Sequence, residues 1–563
     1  MVDWPTHLIR QVQFGGRTIT GTSARVERSI SALHLDNSEL IFKLLIILAG
    51  ITAVWLRWRG LDSQSLWLDE GYTFWISRFS PRDIGRVLVM DTSTPLYYVL
   101  IHYWSSCFGT SEFWLRALSS VFATLSLPIY YLLGRKILVD RLAIVFAMAA
   151  FAVSSLQVWY AKEARGYALL VFLSLGSVYF LLLYLENRGL LPFCGIVAFI
   201  TAALYTHNIE FFYLPGFAIL WLIYPAETKL LRRFRDGLLA CVAVALSYLP
   251  WLPTLRAQLQ RQRIHGNFWL AVPHTRDLFD SLCLLSGLDT ATLQSAFRNF
   301  FHATRLFGFW TWAPGIVALI AVCILGGFYG TNNVNQRKTA AMAIYSLSPI
   351  LLAFAYSHIS GPIYTTRLFL GSCAFLPMLL AAPIAFQVGP RRKWFQALGC
   401  LVLLGSVAST VGYLRRERKE DWRGVAEYLQ ALPEQHRLTI VLPDIGQPLM
   451  HYYASRLSIS GPPMEVTGLL TKYAPPDVDL ERRTLELSDN QNTDPTALLS
   501  QQLAPGKYRE VDVVTQPGEP ANLVEPMLGY LSASCSSTEV KEFHWLQVRR
   551  YTIRARTDES VSQ

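Results

Sequence analysis

Charge is what this chain has least of. Asp, Glu, Lys and Arg make up 16% of its 563 residues, against 52% hydrophobic ones. Soluble domains are about a quarter charged, so with a mean hydropathy of +0.30 the composition excludes an ordinary soluble enzyme. Cysteine is sparse as well: eight residues, with no CxxC and no Cys/His spacing, which excludes a zinc ribbon or a disulfide framework. Most of them (Cys194, Cys241, Cys323, Cys373, Cys400) sit inside apolar runs as small hydrophobes. No repeat with a solenoid period is present. Residues 1–38 carry Arg10, Arg17, Arg25 and Arg28 but no apolar core of a cleavable signal peptide. They are expected to form a cytoplasmic, poorly ordered tail.

What is abundant is apolar sequence of membrane-spanning length. About 20 predominantly apolar residues cross a bilayer, and segments near 40–57, 113–134, 141–159, 166–186, 190–206, 209–225, 237–253, 308–328, 339–357, 367–387 and 394–413 qualify. This predicts a polytopic α-helical membrane protein of about eleven transmembrane helices. Its 28 Pro, 16 Trp and 26 Tyr suit broken helices and interfacial aromatic belts. Residues 95–108 are apolar but short and rich in Tyr, Trp and His, and predict an interfacial or re-entrant helix.

Loop charges orient the spans. Arg135, Lys136, Arg141, Arg188, Lys229, Arg232, Arg233, Arg235, Arg337, Lys338, Arg391, Arg392 and Lys393 fall in one set of connections, which the positive-inside rule makes cytoplasmic. The net charge of +10 is therefore a membrane signature, and nucleic acid is not an expected partner. Arg57 and Arg59 break the bias and call for another explanation. The opposite connections, near 58–112, 160–165, 207, 254–307 and 358–366, then face outward, as does everything after 414. Residues 415–563 change character: helix-like 421–432 and 447–457 alternate with strand-like 438–442, 511–514 and 547–553. These predict a C-terminal extracytoplasmic α/β domain. The Pro- and Asp-rich stretch 473–496 is expected to be a loop. The domain plan is thus a tail (1–38), a transmembrane domain (39–414) and a C-terminal domain (415–563).

Sorting polar residues by side gathers the chemistry on the outer face. Asp69 and Glu70 stand in the first outer connection, Glu163 and Arg165 in the second, His207 in a short turn, and His358, Tyr364 and Arg367 further on. Carboxylates, a histidine and several arginines suit an anionic substrate and proton transfer. A transporter or lipid flippase is the alternative, but its ionisable residues belong near mid-membrane, and here the acids collect at one side. A scaffold presenting an outer binding domain would not need the acidic pair.

Four short motifs, Trp67-Leu68-Asp69-Glu70, Thr94-Pro95-Leu96-Tyr97-Tyr98, Phe113-Trp114-Leu115-Arg116 and Tyr160 through Tyr167 (YAKEARGY), follow in order. With this topology they resemble the GT-C membrane glycosyltransferases, among them bacterial protein O-mannosyltransferases and aminoarabinose transferases. The resemblance covers about residues 40–415, and Asp421-Trp422-Arg423 is similar to the start of that family's C-terminal domain. It implies a GT-C fold in the cytoplasmic membrane and a polyprenyl-phosphate sugar donor. Transfer would go, with inversion, to an unidentified envelope acceptor on the outer face, with membrane lipid as surroundings. The resemblance makes Asp69 the general-base candidate, Glu70 an orienting neighbour and Glu163 the second acidic position. It makes Arg116 a donor-phosphate candidate, joined by Arg165 and Arg367 because guanidinium forks hold phosphate oxygens in pairs. Leu368 departs from the Tyr that often follows the family's Arg at that point. His207 and Tyr364 complete the expected substrate-binding set. More distant oligosaccharyltransferases hold a divalent cation with carboxylates of this kind; no ligand spacing here commits the chain to one.

Overall fold

The computed structural model describes residues 23–90, 92–265, 270–289, 291, 309–329, 331–416, 419–432, 436–442, 444–457, 464–468, 495–503, 507–516 and 521–553. Residues 1–48 and 49–563 form separate compact units.

The helices in chain order are α1 (Ser23–Trp58), α2 (Leu68–Ser77), α3 (Pro81–Val87), α4 (Leu96–Phe108), α5 (Glu112–Ile137), α6 (Arg141–Ala152), α7 (Ser155–Ala161), α8 (Tyr167–Asn187), α9 (Leu190–Leu204), α10 (Tyr213–Ile223), α11 (Leu230–Tyr248), α12 (Leu252–His265), α13 (Thr275–Leu285), α14 (Phe309–Phe328), α15 (Asn333–Ile359), α16 (Leu370–Phe386) and α17 (Gly389–Leu414). The helix of the first apolar segment therefore starts at Ser23, well inside the stretch expected to be a tail; residues 1–22 lie outside the described residues. All eleven expected spans correspond to apolar helices, but of unequal length. Seven are long and apolar enough to cross a membrane, α6 and α7 make an eighth bent by 51°, and Leu190–Leu204, Asn208–Ile223 and Pro314–Phe328 are shorter. Fifteen residues of helix rise only about 22 Å, short of the ~30 Å hydrocarbon core. A short helix is tolerated where neighbours satisfy the backbone beyond its ends.

Burial sorts the bundle from centre to rim. The segment Thr366–Phe386 is almost wholly enclosed, whereas Leu230–Arg261 and Gly389–Leu414 are mostly open at their surface. On α11 the exposed residues Leu230, Phe234, Leu238, Val242 and Leu246 recur every four positions, one apolar stripe facing lipid. The α6–α7 break explains Arg57. Its guanidinium is buried and donates to the carbonyls of Ala152 and Phe151 (both 3.1 Å) and of Ala53 (3.1 Å). The Ala152 and Phe151 carbonyls are those that a helix ending inside a bundle leaves without N–H partners. Arg57 is a buried cap, so its charge does not count toward sidedness. Arg59 lies over the Trp55 ring at 4.9 Å.

After α17 come α18 (Trp422–Gln430), β1 (Arg437–Leu442), α19 (Gln447–Leu457), β2 (Glu465–Thr467), α20 (Pro495–Gln502), β3 (Glu510–Thr515), α21 (Ala521–Ser534), β4 (Cys535–Phe543) and β5 (Leu546–Ile553). The sheet order is β2-β1-β3-β5-β4. β1 pairs in parallel with β2 and β3, while β5 runs antiparallel to β3 and β4. Leu438, Ile440, Val511, Val513, Met527, Leu531 and Tyr551 form its core. The sequence pattern anticipates α18, α19, β1, β3 and β5 closely but misses β2, α20, α21 and the edge strand β4. That edge strand is almost wholly exposed, so it carries little of the apolar alternation that marks a strand. The expected loop 473–496 lies almost entirely outside the described residues.

The sheet domain docks on α2. A Cβ on Gly71 would come within 2.3 Å of the Leu449 side chain of α19, so only glycine permits this approach. Tyr453 of α19 accepts from Leu66 N (2.7 Å), and its hydroxyl donates to Glu112. Glu420 accepts from Leu68 N (3.1 Å) at the start of α2, and Arg423 donates to Asp62 O (2.9 Å).

Candidate active site

Two neighbouring carboxylates at the start of α2 meet opposite fates, because successive residues on a helix point about 100° apart. Glu70 turns inward and is fully buried. Its Oε1 accepts from Arg116 Nε (2.8 Å) and Ala164 N (3.0 Å). Its Oε2 accepts from Arg116 Nη2 (2.6 Å), Lys419 Nζ (2.9 Å) and, weakly, Trp67 N (3.4 Å). Those donors fill a carboxylate's lone-pair sites. Burial by itself would push the Glu70 carboxyl upward, but the charges of Arg116 and Lys419 override it and hold the group down at about 2.

Arg116 is equally committed. Beyond the two contacts to Glu70, its Nη1 donates to Leu61 O (2.6 Å) and Gln64 O (2.7 Å), and its Nη2 to Ser65 O (2.8 Å). All five N–H groups are used and the side chain is 2% exposed. This leaves no donor for the phosphate expected there; Arg116 instead folds residues 61–65 around the start of α2.

Asp69 turns the other way. Its side chain is 26% exposed, and Oδ2 meets Arg367 Nη1 at 3.1 Å. Arg367, in the short helix Thr366–Phe369 that leads into α16, lies within electrostatic reach of Tyr160, Tyr167 and Arg165. The loop between α7 and α8 supplies the next wall. Ser120 and Ser119 of α5 donate to the carbonyls of Ala161 (2.9 Å) and Arg165 (3.1 Å), which fixes the loop. Arg165 Nη1 donates to Tyr98 OH (2.9 Å). Rings run in contact from Tyr160 to Tyr167 (4.9 Å) and on to His207 (6.2 Å).

His207 Nδ1 accepts from Ile209 N (3.1 Å), so the ring proton resides on Nε2. Burial first, then the charges of Arg165 and Arg367, push this imidazole down to about 3. It is a neutral donor at physiological pH.

Glu163 is buried with one oxygen accepting from Trp159 Nε1 and the other, Oε2, without a partner among the described residues. Burial raises its carboxyl to about 7; Lys419 opposes the rise, while Glu70 and Asp69 add to it. A buried carboxyl poised near neutrality, with a free oxygen, is the kind of group active sites retain.

Seven of the eight residues expected at the site thus converge. Tyr364 stands apart, its ring packed on Phe354 (5.6 Å) and Phe369 (5.2 Å) and its electrostatic neighbours Asp277 and Asp280. Sequence reasoning missed Lys419 and Glu420, the latter pushed upward by burial. Lys419 closes the basic run Arg415-Arg416-Glu417-Arg418-Lys419 on the side expected to face outward, where the positive-inside rule does not predict it, and that run is the available signal. The three carboxylates do not make a cation site. Glu70 has no oxygen to give, and among the described residues no group of three His, Cys, Asp or Glu is placed to hold a metal ion.

No family model matches this chain, and no curated protein matches it. Among solved structures it is similar to ArnT from Cupriavidus metallidurans in the apo state, with a TM-score of 0.53 and 13% identity over 91% of this chain and 98% of that one. The same enzyme bound to undecaprenyl phosphate gives 0.51 and 13% over 90% and 97%. The fold is therefore the GT-C fold, membrane bundle and C-terminal sheet domain together.

Proposed function

We propose that this protein is an integral membrane glycosyltransferase that moves a sugar from a polyprenyl-phosphate donor to an envelope acceptor, inverting the anomeric carbon. The observation that carries the reading is the open Asp69–Arg367 pair, ringed by Arg165, His207 and Glu163, on a fold that ArnT uses with undecaprenyl phosphate bound. The site lies at the end of the bundle opposite the Lys- and Arg-rich connections. We therefore assign it, with residues 415–563, to the outer side of the cytoplasmic membrane.

In the proposed reaction the acceptor hydroxyl oxygen attacks the anomeric carbon, and its proton passes to the Asp69 carboxylate. The bond from that carbon to the donor phosphate oxygen breaks, its electron pair leaving on the phosphate. Arg367 and Arg165 meet the charge that develops there, and His207 Nε2–H adds a neutral hydrogen bond. Glu70 and Arg116 touch neither substrate; they hold α2 so that Asp69 points at the acceptor. The single contact between Arg367 and Asp69 is replaceable when a phosphate enters, which frees Asp69 to act as base.

Asp69→Asn tests the assignment. Sugar transfer from a polyprenyl-phosphate donor should fall by about 10²–10⁴-fold, with expression and membrane insertion unchanged. Full activity in that variant removes Asp69 as base. Comparing envelope glycolipids and glycoproteins by mass spectrometry, with and without the gene, would identify the acceptor. Donor movement across the bilayer without bond cleavage would favour a flippase.

A further inference from the structure

A polar cavity lies at the other end of the bundle. Helices α5 and α8 both start at the active site, with Arg116 and Tyr167, and both reach the cavity after about 30 Å of rise, at Lys136 and Glu186. It has a volume of about 690 Å³, and five cations (Lys136, Arg188, Lys229, Arg232, Lys338) line it with only two carboxylates, Glu186 and Glu227. We propose that this cavity binds the phosphate of an anionic phospholipid headgroup, on the membrane face away from Asp69. The proposal is independent of the glycosyltransferase reading.

The wall is built rather than a loose cluster of surface charge. Arg233 is buried and donates to the carbonyls of Leu222 (3.1 Å), Tyr224 (2.7 Å), Ala226 (2.5 Å) and Thr228 (3.1 Å). This folds the connection between α10 and α11 into a fixed rim. Arg337 Nε holds Ile223 O at 2.9 Å.

The charge is only partly neutralised. Lys136 pairs with Glu186, and Arg188 with Asp236. Lys338, by contrast, donates to the carbonyls of Lys136 and Ile137 (3.2 and 3.3 Å), which cancel no charge. Arg188 Nε is a buried donor without an acceptor among the described residues. The side chains of Lys229 and Arg232 are exposed and, among the described residues, have no carboxylate partner. Phosphate oxygens supply what this set lacks: several acceptors carrying negative charge.

The surroundings favour a lipid as the bearer of that phosphate. Leu230 and Leu231 follow Lys229 directly, Leu190 and Leu191 follow Arg188 closely, and all four are exposed. Apolar side chains flanking a basic pocket at a helix end suit the headgroup level of a bilayer.

The test uses the full-length purified protein and phosphatidylglycerol as probe against a phosphatidylcholine background, read by native mass spectrometry of retained lipid. The wild type should prefer phosphatidylglycerol, and K229E/R232E should lose that preference by at least about tenfold. R391E/K393E, which reverses exposed charges on the same face outside the cavity, should keep it. A second arm measures thermal stabilisation by inorganic phosphate, at constant ionic strength, in phosphatidylcholine nanodiscs. Stabilisation there that K229E/R232E abolishes, without a lipid preference, supports the phosphate site but assigns it a soluble phosphate. Equal loss in both charge-reversal pairs, or no loss in K229E/R232E, overturns the proposal.

Discussion

Two arginine–carboxylate pairs stand side by side at the start of α2, and they teach different things. The Arg116–Glu70 pair is sealed: every guanidinium N–H and both carboxylate oxygens are spent on protein partners. The Arg367–Asp69 pair is open, joined by one contact with both side chains partly in solvent. A sealed pair cannot exchange a protein partner for a substrate without leaving a buried charge unmet. An open pair can. In the proposed reaction, adjacency in sequence therefore conceals a division of labour, with Glu70 fixing the geometry in which Asp69 would work.

The comparison is most directly broken by mutating the sealed side. Glu70→Ala leaves Arg116 and Lys419 buried beside one another, and should cost about 3–5 kcal/mol, seen as a loss of expression or a large fall in Tm in detergent. Arg116→Ala should cost a similar amount, and the double variant less than the sum. A Tm unchanged by Glu70→Ala would show that the network is not what holds α2.

Next in size is a pH effect that sharpens the contrast through Glu163. Its folded value of about 7 lies above the ordinary 4.5, so the folded state holds this proton more tightly than the unfolded chain. The stability this confers is complete below about 4.5 and is lost as pH rises toward 7. Glu70 runs the other way: its folded value of about 2 lies below 4.5, so its contribution is present above 4.5 and lost as pH falls toward 2. In Tm measured from pH 4.5 to 7, Glu163→Gln should remove a decline worth on the order of 1–3 kcal/mol. Parallel wild-type and variant curves would refute the raised carboxyl.

The smallest stability effect belongs to the open side. Arg367→Ala should change stability by no more than about 1 kcal/mol, yet raise KM for the lipid-linked donor roughly tenfold, as loss of a charge-assisted phosphate contact would. A large fall in Tm, or an unaltered donor KM, would erase the distinction between the two pairs.

Much of this was legible in the sequence. Hydropathy located every apolar helix, because spans must be apolar whatever they pack against. Loop charge then put Asp69, Glu163, His207 and Arg367 at one end, where the structure brings them together. Partner choice was not legible. Nothing local distinguishes Asp69 from Glu70, since the difference lies in which side of α2 meets α5. Arg116 looked like a phosphate ligand because its type and depth fit one; its five acceptors are chiefly carbonyls, which sequence does not display. Arg57 was conspicuous as a charge out of place, but the helix end it caps lies 95 residues away. Tyr364 shares a short connection with the site, and its aromatic neighbours draw it elsewhere.

The contact between Lys419 and Glu70 joins positions 349 residues apart, whereas Arg116 follows Glu70 by only 46. On the ribosome Arg116 therefore emerges long before Lys419. Early in synthesis the chain already has the means to pair its buried carboxylate and insert it. The ammonium group that completes the network arrives only once the bundle has been made, together with the docking surface of α19. Assembly of the site is thereby tied to the timing of biosynthesis: a nascent chain stopped short of residue 419 has its first counter-ion but not its last.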